Sequence, residues 1–119
     1  MTKTLSQHAL DAYAAASGDY NPIHIDAAFA ATTPFGGTIA HGMLVLATIS
    51  EMMTATFDER WLRSARLDVR FRAPARPGDT QTARAEPAGV EGGVSRYRVE
   101  CVSQAGELLI SGTAQVDAA

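Results

Sequence analysis

The distribution of hydrophobic and polar residues changes near the middle of the chain. In the first half, apolar positions recur at helical spacing. Leu10, Tyr13 and Ala14 follow this spacing and predict an amphipathic helix over residues 6–16. Residues 42–55 are apolar on nearly every side of a helix, and such a pattern is typical of a helix that is buried rather than docked on a surface.

Capping residues and turns divide the first half further. Ser6 is a suitable N-cap for the first helix, and Ser17-Gly18 would end it. A turn over Asp19–His24 follows. Asp26 is predicted to cap a short alanine-rich helix that reaches Ala31. Residues 32–41 are rich in Thr, Pro and Gly and are predicted to form a loop.

The second half has the period of β-strands. Apolar and charged residues alternate strictly over Arg66–Arg72, which predicts a half-buried antiparallel strand. Thr80–Glu86 is predicted as a weaker strand and Pro87–Gly93 as a turn. A third and a fourth strand follow, separated by a turn at 104–106. Their inner faces are predicted to be Ser95, Tyr97, Val99 and Cys101, and then Leu108, Ile110, Gly112, Ala114 and Val116.

A buried helix followed by a meander of strands indicates an α+β fold in which an antiparallel sheet wraps around a central helix. At 119 residues the chain is expected to be a single domain over residues 1–119. Only Thr2–Leu5 can supply a strand before the first helix. That edge of the sheet is therefore expected to be short or completed by a partner subunit.

Composition indicates an ordinary water-soluble protein and excludes several classes of function. The hydrophobic fraction is 46% and the net charge is −3, which argues against nucleic acid as the main partner. The longest apolar run, Met43–Ile49, is too short for a membrane span. The N-terminus does not resemble a signal peptide, so we expect a cytoplasmic protein. Cys101 is the only cysteine and is expected to be a buried small hydrophobe.

The most distinctive segment is Ser17-Gly18-Asp19-Tyr20-Asn21-Pro22-Ile23-His24. It places a carboxylate, a carboxamide and an imidazole within six residues at a turn. This combination suits the activation of a water molecule. The alternative is an Asx-type turn that carries a solvent-exposed histidine.

A second segment, Gly36-Gly37-Thr38-Ile39-Ala40-His41-Gly42-Met43, leads directly into the buried helix. The first N–H groups of that helix have no intrahelical partner and are reinforced by the helix dipole. We therefore expect backbone donors to point into a cleft at this helix start.

Together the two segments resemble the MaoC-like, (R)-specific enoyl-CoA hydratase family of hot-dog-fold proteins. The family pattern runs Ser-Gly-Asp-x-Asn-Pro-apolar-His, then Phe-Ala, then Ile-Ala-His-Gly-Met-Leu. This chain supplies Ser17–His24, Phe29-Ala30 and Ile39–Leu44. The resemblance continues more weakly to about residue 116, and it implies the hot-dog fold.

The resemblance implies that Asp19 and His24 together hold and activate one water. It implies a hydratase or dehydratase that interconverts 2-enoyl and (R)-3-hydroxyacyl thioesters. The Gly42 N–H is a candidate to stabilise the charge that develops on the thioester oxygen. The alternative role of Gly42 is only to permit close packing.

Four further residues are candidates for supporting roles. Asn21 is expected to fix the turn and to orient Asp19. His41 rivals His24 as the base, but the family assigns that role to the first segment, so His41 is expected to be structural. Ser50 either supplies a pocket hydroxyl or bonds the carbonyl four residues before it. His8 is expected to be exposed.

Six arginines lie between residues 60 and 76, namely Arg60, Arg63, Arg66, Arg70, Arg72 and Arg76. They could bind the phosphates of coenzyme A or of the phosphopantetheine of a carrier protein, or they could form the solvent-exposed face of a strand. We find no metal-ligand spacing and no phosphate loop. Coenzyme A is expected only as part of the substrate, with no other cofactor.

Two alternative functions stay open at this stage. One is a hot-dog acyl-CoA thioesterase, in which Asp19 directs water to the carbonyl carbon. The other is a non-catalytic acyl-binding subunit. The working unit is expected to be a homodimer or a larger homo-oligomer with a shared pocket, because a helix on the inner face of the sheet leaves little room for an acyl chain.

Overall fold

The computed structural model describes the whole chain, Met1 to Ala119, in ten elements. In chain order they are β1 (Thr2–Thr4), α1 (Gln7–Ser17), α2 (Pro22–Ile25), α3 (Ala27–Ala31), α4 (Gly42–Phe57), α5 (Glu59–Ser64), β2 (Arg66–Phe71), β3 (Thr80–Glu91), β4 (Val94–Ser103) and β5 (Leu108–Asp117). The strands form one antiparallel sheet in the order β1-β3-β4-β5-β2. No helix has the length and hydropathy that crossing a membrane requires.

The capping signals of the first half act as predicted. The Ser6 hydroxyl accepts a hydrogen bond from the Ala9 N–H at 3.1 Å and starts α1. Gly18 ends the helix in the left-handed conformation, with φ of 78°, where a side chain would be strained. Asp26 caps α3 through the Phe29 N–H. The Asp19–His24 turn is tighter than expected, because its second half forms the single helical turn α2.

The central helix α4 packs one face against the sheet and leaves part of its other face exposed, so it is less buried than its apolar pattern predicts. Val45, Ile49 and Met53 are spaced by four residues and lie on its buried face. They pack into a core that includes Leu10, Trp61, Val99, Cys101, Leu109, Ile110, Ala114 and Val116. The Cys101 side chain is fully buried, as expected, and this burial raises the pKa of its thiol to about 11.

The predicted turn at Pro87–Gly93 is wrong. Strand β3 continues to Glu91, and a two-residue turn of Gly92 and Gly93 joins it to β4. Both glycines have positive φ, at 58° and 76°, as a tight two-residue hairpin requires. Pro87 fits within β3 because β1 covers only the first three residues of that strand, and a register shift absorbs the irregularity.

Two features of the fold were not predicted. The short helix α5 lies between α4 and β2 and buries Trp61. A register shift between β4 and β5 turns both Leu109 and Ile110 inward, whereas the alternating pattern favoured Leu108.

Strand β2 approaches β5 very closely at Gly112. A Cβ at this position would lie 2.1 Å from the Asp68 carbonyl oxygen and 2.7 Å from the Val69 Cα. Glycine is therefore required there to let β2 join the sheet. The other edge of β2 has no strand beside it.

Candidate active site

A pocket of about 330 Å³ opens at the N-terminal end of α4. Its innermost side chains are buried, whereas its rim carries large exposed aromatic rings. Phe71 is 56% exposed and Phe35 is 38% exposed. The lining comprises His24, Phe35, Ile39, Ala40, Gly42, Val45, Phe71, Arg72, Ala73, Pro74, Ala75, Leu109 and Ile110.

His24 lines this pocket with a defined tautomer. Its Nδ1 lies 2.7 Å from the Ile39 carbonyl oxygen. A carbonyl oxygen can only accept a hydrogen bond, so Nδ1 carries the proton and Nε2 carries a free lone pair. The His24 backbone is held too, because its carbonyl accepts from the Gln7 amide at 2.9 Å. His24 is thereby presented as a base.

The Asp19 carboxylate faces that lone pair. Its Oδ2 lies 4.0 Å from His24 Nε2. This separation is too long for a direct hydrogen bond, but one water can bridge two such atoms. The carboxylate is about half exposed, so water can reach it.

Asn21 organises the turn between these two residues. Its side-chain oxygen accepts from the Ile23 N–H at 3.1 Å and caps α2. Its own N–H donates to Asp19 Oδ1 at 3.2 Å. Asn21 thus fixes the turn and orients the carboxylate, which is the arrangement the sequence indicated.

His41 lies behind the two reactive groups and is only 2% exposed. Its Nε2 donates to the Asp19 backbone carbonyl at 3.1 Å. Its ring stacks on His24 with centroids 3.9 Å apart, and it meets the Tyr13 ring edge-on at 4.8 Å. Its Nδ1 is buried without a partner. These contacts make His41 a support that fixes the positions of both Asp19 and His24.

Gly42 begins α4, and no residue of the protein accepts a hydrogen bond from its N–H. This donor therefore remains available at the positive end of the central helix. The Phe71 ring packs directly against the Gly42 backbone. Both roles considered for this glycine, a free donor and close packing, are compatible with the geometry.

Ser50 is not brought to this pocket. It lies eight residues further along α4, which is roughly 12 Å along the helix axis. Its hydroxyl accepts from the Trp61 indole N–H at 3.1 Å. It lines a separate surface hollow with Met1 and Ala47. Neither of the bonds considered for Ser50 is the one observed.

The six arginines do not form one cluster. Arg60 and Arg63 lie on α5 beside the last residues of the chain. Arg66 and Arg70 are on the exposed face of β2. Arg72 lines the pocket and donates to the Ser111 hydroxyl at 2.9 Å, while Arg76 donates to the Phe35 carbonyl at 2.6 Å. Only the last two are associated with the pocket.

Asp19, His24 and His41 bring potential metal-ligand atoms within 4.8 Å of one another. The two imidazole planes are nevertheless stacked, at 27° to each other. Stacked rings direct their in-plane lone pairs side by side rather than toward one point. The cluster therefore has the geometry of an activated-water site more than that of a metal centre.

Gln7 and Phe71 are parts of the site that the sequence did not reveal. The Gln7 amide holds the His24 carbonyl, and its oxygen accepts from the Thr38 hydroxyl at 2.7 Å. It thus joins α1, α2 and the loop before α4. These contacts span 17 and 31 residues, and no local pattern signals them.

Comparison with known proteins gives a consistent result over nearly the whole chain. The MaoC like domain matches residues 1–106. A 3-hydroxybutyryl-CoA dehydratase of Methylorubrum extorquens is 33% identical over 98% of this chain and 74% of its own length. An (R)-specific enoyl-CoA hydratase of Rhodospirillum rubrum is 34% identical over 98% of this chain and 81% of its own.

Comparison with solved structures gives the same result as comparison of the sequences. An (R)-hydratase from Aeromonas caviae involved in PHA biosynthesis superposes with a TM-score of 0.85 at 29% identity, covering 100% of this chain and 92% of its own. An R-hydratase from Pseudomonas aeruginosa gives a TM-score of 0.82 at 32% identity, covering 99% of this chain and 77% of its own.

Proposed function

The chain belongs to the MaoC-like domain family, and on this premise we propose that it is a hydratase or dehydratase acting on acyl thioesters. It interconverts 2-enoyl and (R)-3-hydroxyacyl thioesters, as the names of its relatives indicate. The expected α+β hot-dog fold and the expected family are both confirmed.

Asp19 and His24 activate the water in this proposal. Hydration forms a bond between the water oxygen and C3 of the enoyl group, and C2 receives a proton. His24 Nε2 has the lone pair that can take a proton from the attacking water and then return it to C2, and Asp19 holds the same water in place. A positioned general base typically contributes ~10²–10⁴-fold in rate.

In this proposal the Gly42 N–H stabilises the thioester oxygen of the substrate. As the C2=C3 electrons shift, negative charge builds on the thioester oxygen. A preorganised donor at a helix start meets that charge without reorganisation, and one such donor is typically worth ~3 kcal/mol in the transition state. Its lack of any partner in the protein supports this role.

The single observation that carries the proposal is the gap between Asp19 and His24. Two atoms that can each bind water are held 4.0 Å apart by backbone contacts, at the rim of an apolar pocket. The reaction involves no net oxidation, so no redox cofactor is needed, and coenzyme A belongs to the substrate.

The test is to mix the purified protein with crotonyl-CoA and to follow the enoyl-thioester absorbance together with free thiol. Loss of absorbance without thiol release is the expected result. Thiol release would indicate a thioesterase instead. Binding without either change would contradict an enzymatic role and would favour an acyl-binding subunit.

The proposal includes a homodimer that completes the pocket. The free edge of β2 ends in Phe71, beside the pocket mouth, and Met43 is 59% exposed on the adjacent helix start. Unpaired edges favour pairing across subunits. The other exposed edge, in β3, is interrupted by Pro87, so β2 is the better candidate. The cytoplasm is the proposed location, which cell fractionation would test.

A further inference from the structure

We propose that Phe71 limits the size of the acyl group that the pocket accepts, acting as a ring packed against Gly42. This inference rests on the proposed function, because it assigns an acyl thioester to the pocket. It makes Phe71 a determinant of specificity rather than a catalytic residue.

The evidence begins with the contact itself. A Cβ built on Gly42 would lie 2.9 Å from Phe71 Cε1 and 3.2 Å and 3.3 Å from two further ring atoms. Gly42 does not have a positive φ, so its backbone would accept an L side chain. A side chain at residue 42 would therefore have to displace the Phe71 ring, so the limit here is one of space and not of backbone conformation.

The second observation is that the Phe71 ring is less fixed by packing than the other side chains that line the pocket. Val45, Leu109 and Ile110 line the pocket and are at most 4% exposed, so core packing fixes them. Phe71 is the last residue of its strand and is 56% exposed. The three atoms nearest to a Cβ built on Gly42 all belong to the Phe71 ring.

The size of the pocket gives the direction of the effect. The part of the pocket that one chain supplies has a volume of about 330 Å³, near the lower end of the range for ligand sites. The ring stands beside the place where the thioester oxygen would lie, so it limits the space next to the acyl carbons. With Phe71 in place, we therefore expect short-chain 2-enoyl thioesters to be preferred over longer ones.

The first experiment compares kcat/KM for crotonyl-CoA and trans-2-octenoyl-CoA in the wild type and in Phe71→Ala. We expect the octenoyl-to-crotonyl ratio to rise about tenfold or more, since each methylene in an apolar pocket is worth at least that order of discrimination. Phe29→Ala is the matched control, because Phe29 is 45% exposed and lies outside the pocket. An unchanged ratio in Phe71→Ala would overturn the proposal.

The second experiment tests the contact between the two residues. Gly42→Ala keeps the N–H but pushes a methyl group into the ring, so we expect kcat/KM for crotonyl-CoA to fall at least tenfold. Adding Phe71→Ala should recover a large part of that loss. Gly37→Ala is the control, since a Cβ there meets nothing within 4 Å. A double variant no better than Gly42→Ala would refute the contact.

Failure of the proposed function would give a different result. A wild-type protein that binds both thioesters without turnover would refute the hydratase assignment alone. The ratio of the two dissociation constants would then report on Phe71, and Phe71→Ala must still shift it toward the octenoyl thioester. No shift in that ratio would overturn the size limit as well.

Discussion

Asp19 and His24 are held by different parts of the chain, yet they face the same small gap. Each side chain makes one hydrogen bond to the backbone, His24 to Ile39 and Asp19 to Asn21. Both residues lie in a turn outside the hydrophobic core, so replacing either side chain should leave the fold intact. We expect Asp19→Asn and His24→Ala each to lower kcat by ~10²–10⁴-fold. Because both act on one water, the double variant should be little worse than either single one.

The matched control for this prediction is His8→Ala. His8 is exposed on α1, as expected, and lies outside the pocket, so hydration should be unchanged. Activity within threefold of the wild type in Asp19→Asn or His24→Ala would show that the assignment is wrong.

His41 should respond differently. In His41→Gln an amide N–H can still reach the Asp19 carbonyl, but the stacked and edge-on ring contacts are lost. We expect measurable turnover and a loss of about 1–3 kcal/mol in the free energy of unfolding, the usual range for a buried substitution. Thermal melting and crotonyl-CoA hydration measure the two effects. An unchanged melting temperature with no activity would mean that His41 is the base and that His24 is the support.

At the scale of single residues, the sequence predicted the contacts between residues that lie close together in the chain. Asp19, Asn21 and His24 fall within six residues, so their turn can be read from residue types alone. Gln7 and Phe71 could not be found in this way, because each reaches the site through a contact set by the packing of separate elements. The same holds for Ser50, whose partner Trp61 belongs to a helix that the sequence did not reveal.

At the scale of the elements, one buried hydrogen bond connects α4 to the sheet in addition to their apolar contacts. The fully buried Gln81 amide donates to the Thr48 hydroxyl at 2.7 Å. In Thr48→Val this donor loses its acceptor, and we expect a loss of about 1–3 kcal/mol in the free energy of unfolding. Urea titration with an unchanged m-value would measure it.

Thr48→Ser and Thr56→Val are the controls for this contact. The first keeps the hydroxyl, and the second removes an exposed hydroxyl that bonds only within the same helix. Both should stay much closer to the wild type than Thr48→Val. Equal losses in Thr48→Val and Thr56→Val would show that the Gln81 contact contributes nothing specific.

The types of the helices and strands were predicted well, but the residues at which some of them begin or end were not. Helices with caps, such as α1 and α3, and the alternating strand β2 have strong local signals. The length of β3 was missed because Pro87 and Gly89 are typical of turns, whereas a strand with one free edge tolerates both. The helix α5 has only six residues, too few to display a period.

At the scale of the whole molecule, the exposed apolar side chains around the pocket mouth predict self-association. Sedimentation at micromolar concentration should give about twice the 12.6 kDa of one chain. Met43→Glu should shift the protein toward monomer, because it places a carboxylate among the apolar side chains of the proposed contact. A carboxylate at a helix start does not destabilise the helix itself. Val90→Glu, at a side chain 69% exposed on the β3–β4 hairpin, is the control. A fully active monomer would refute the shared pocket.

The short β1 has a consequence for hydrogen exchange. Residues 80–82 of β3 lie between two strands, whereas residues 84–91 pair with β4 alone and are exposed throughout. Opening of such a segment costs less than global unfolding. Deuterium should therefore enter the amides of Arg84–Glu91, apart from Pro87, which has none, well before those of Gln81 and Thr82 in the same strand. Uniform protection along β3 in solution would mean that another chain covers this edge.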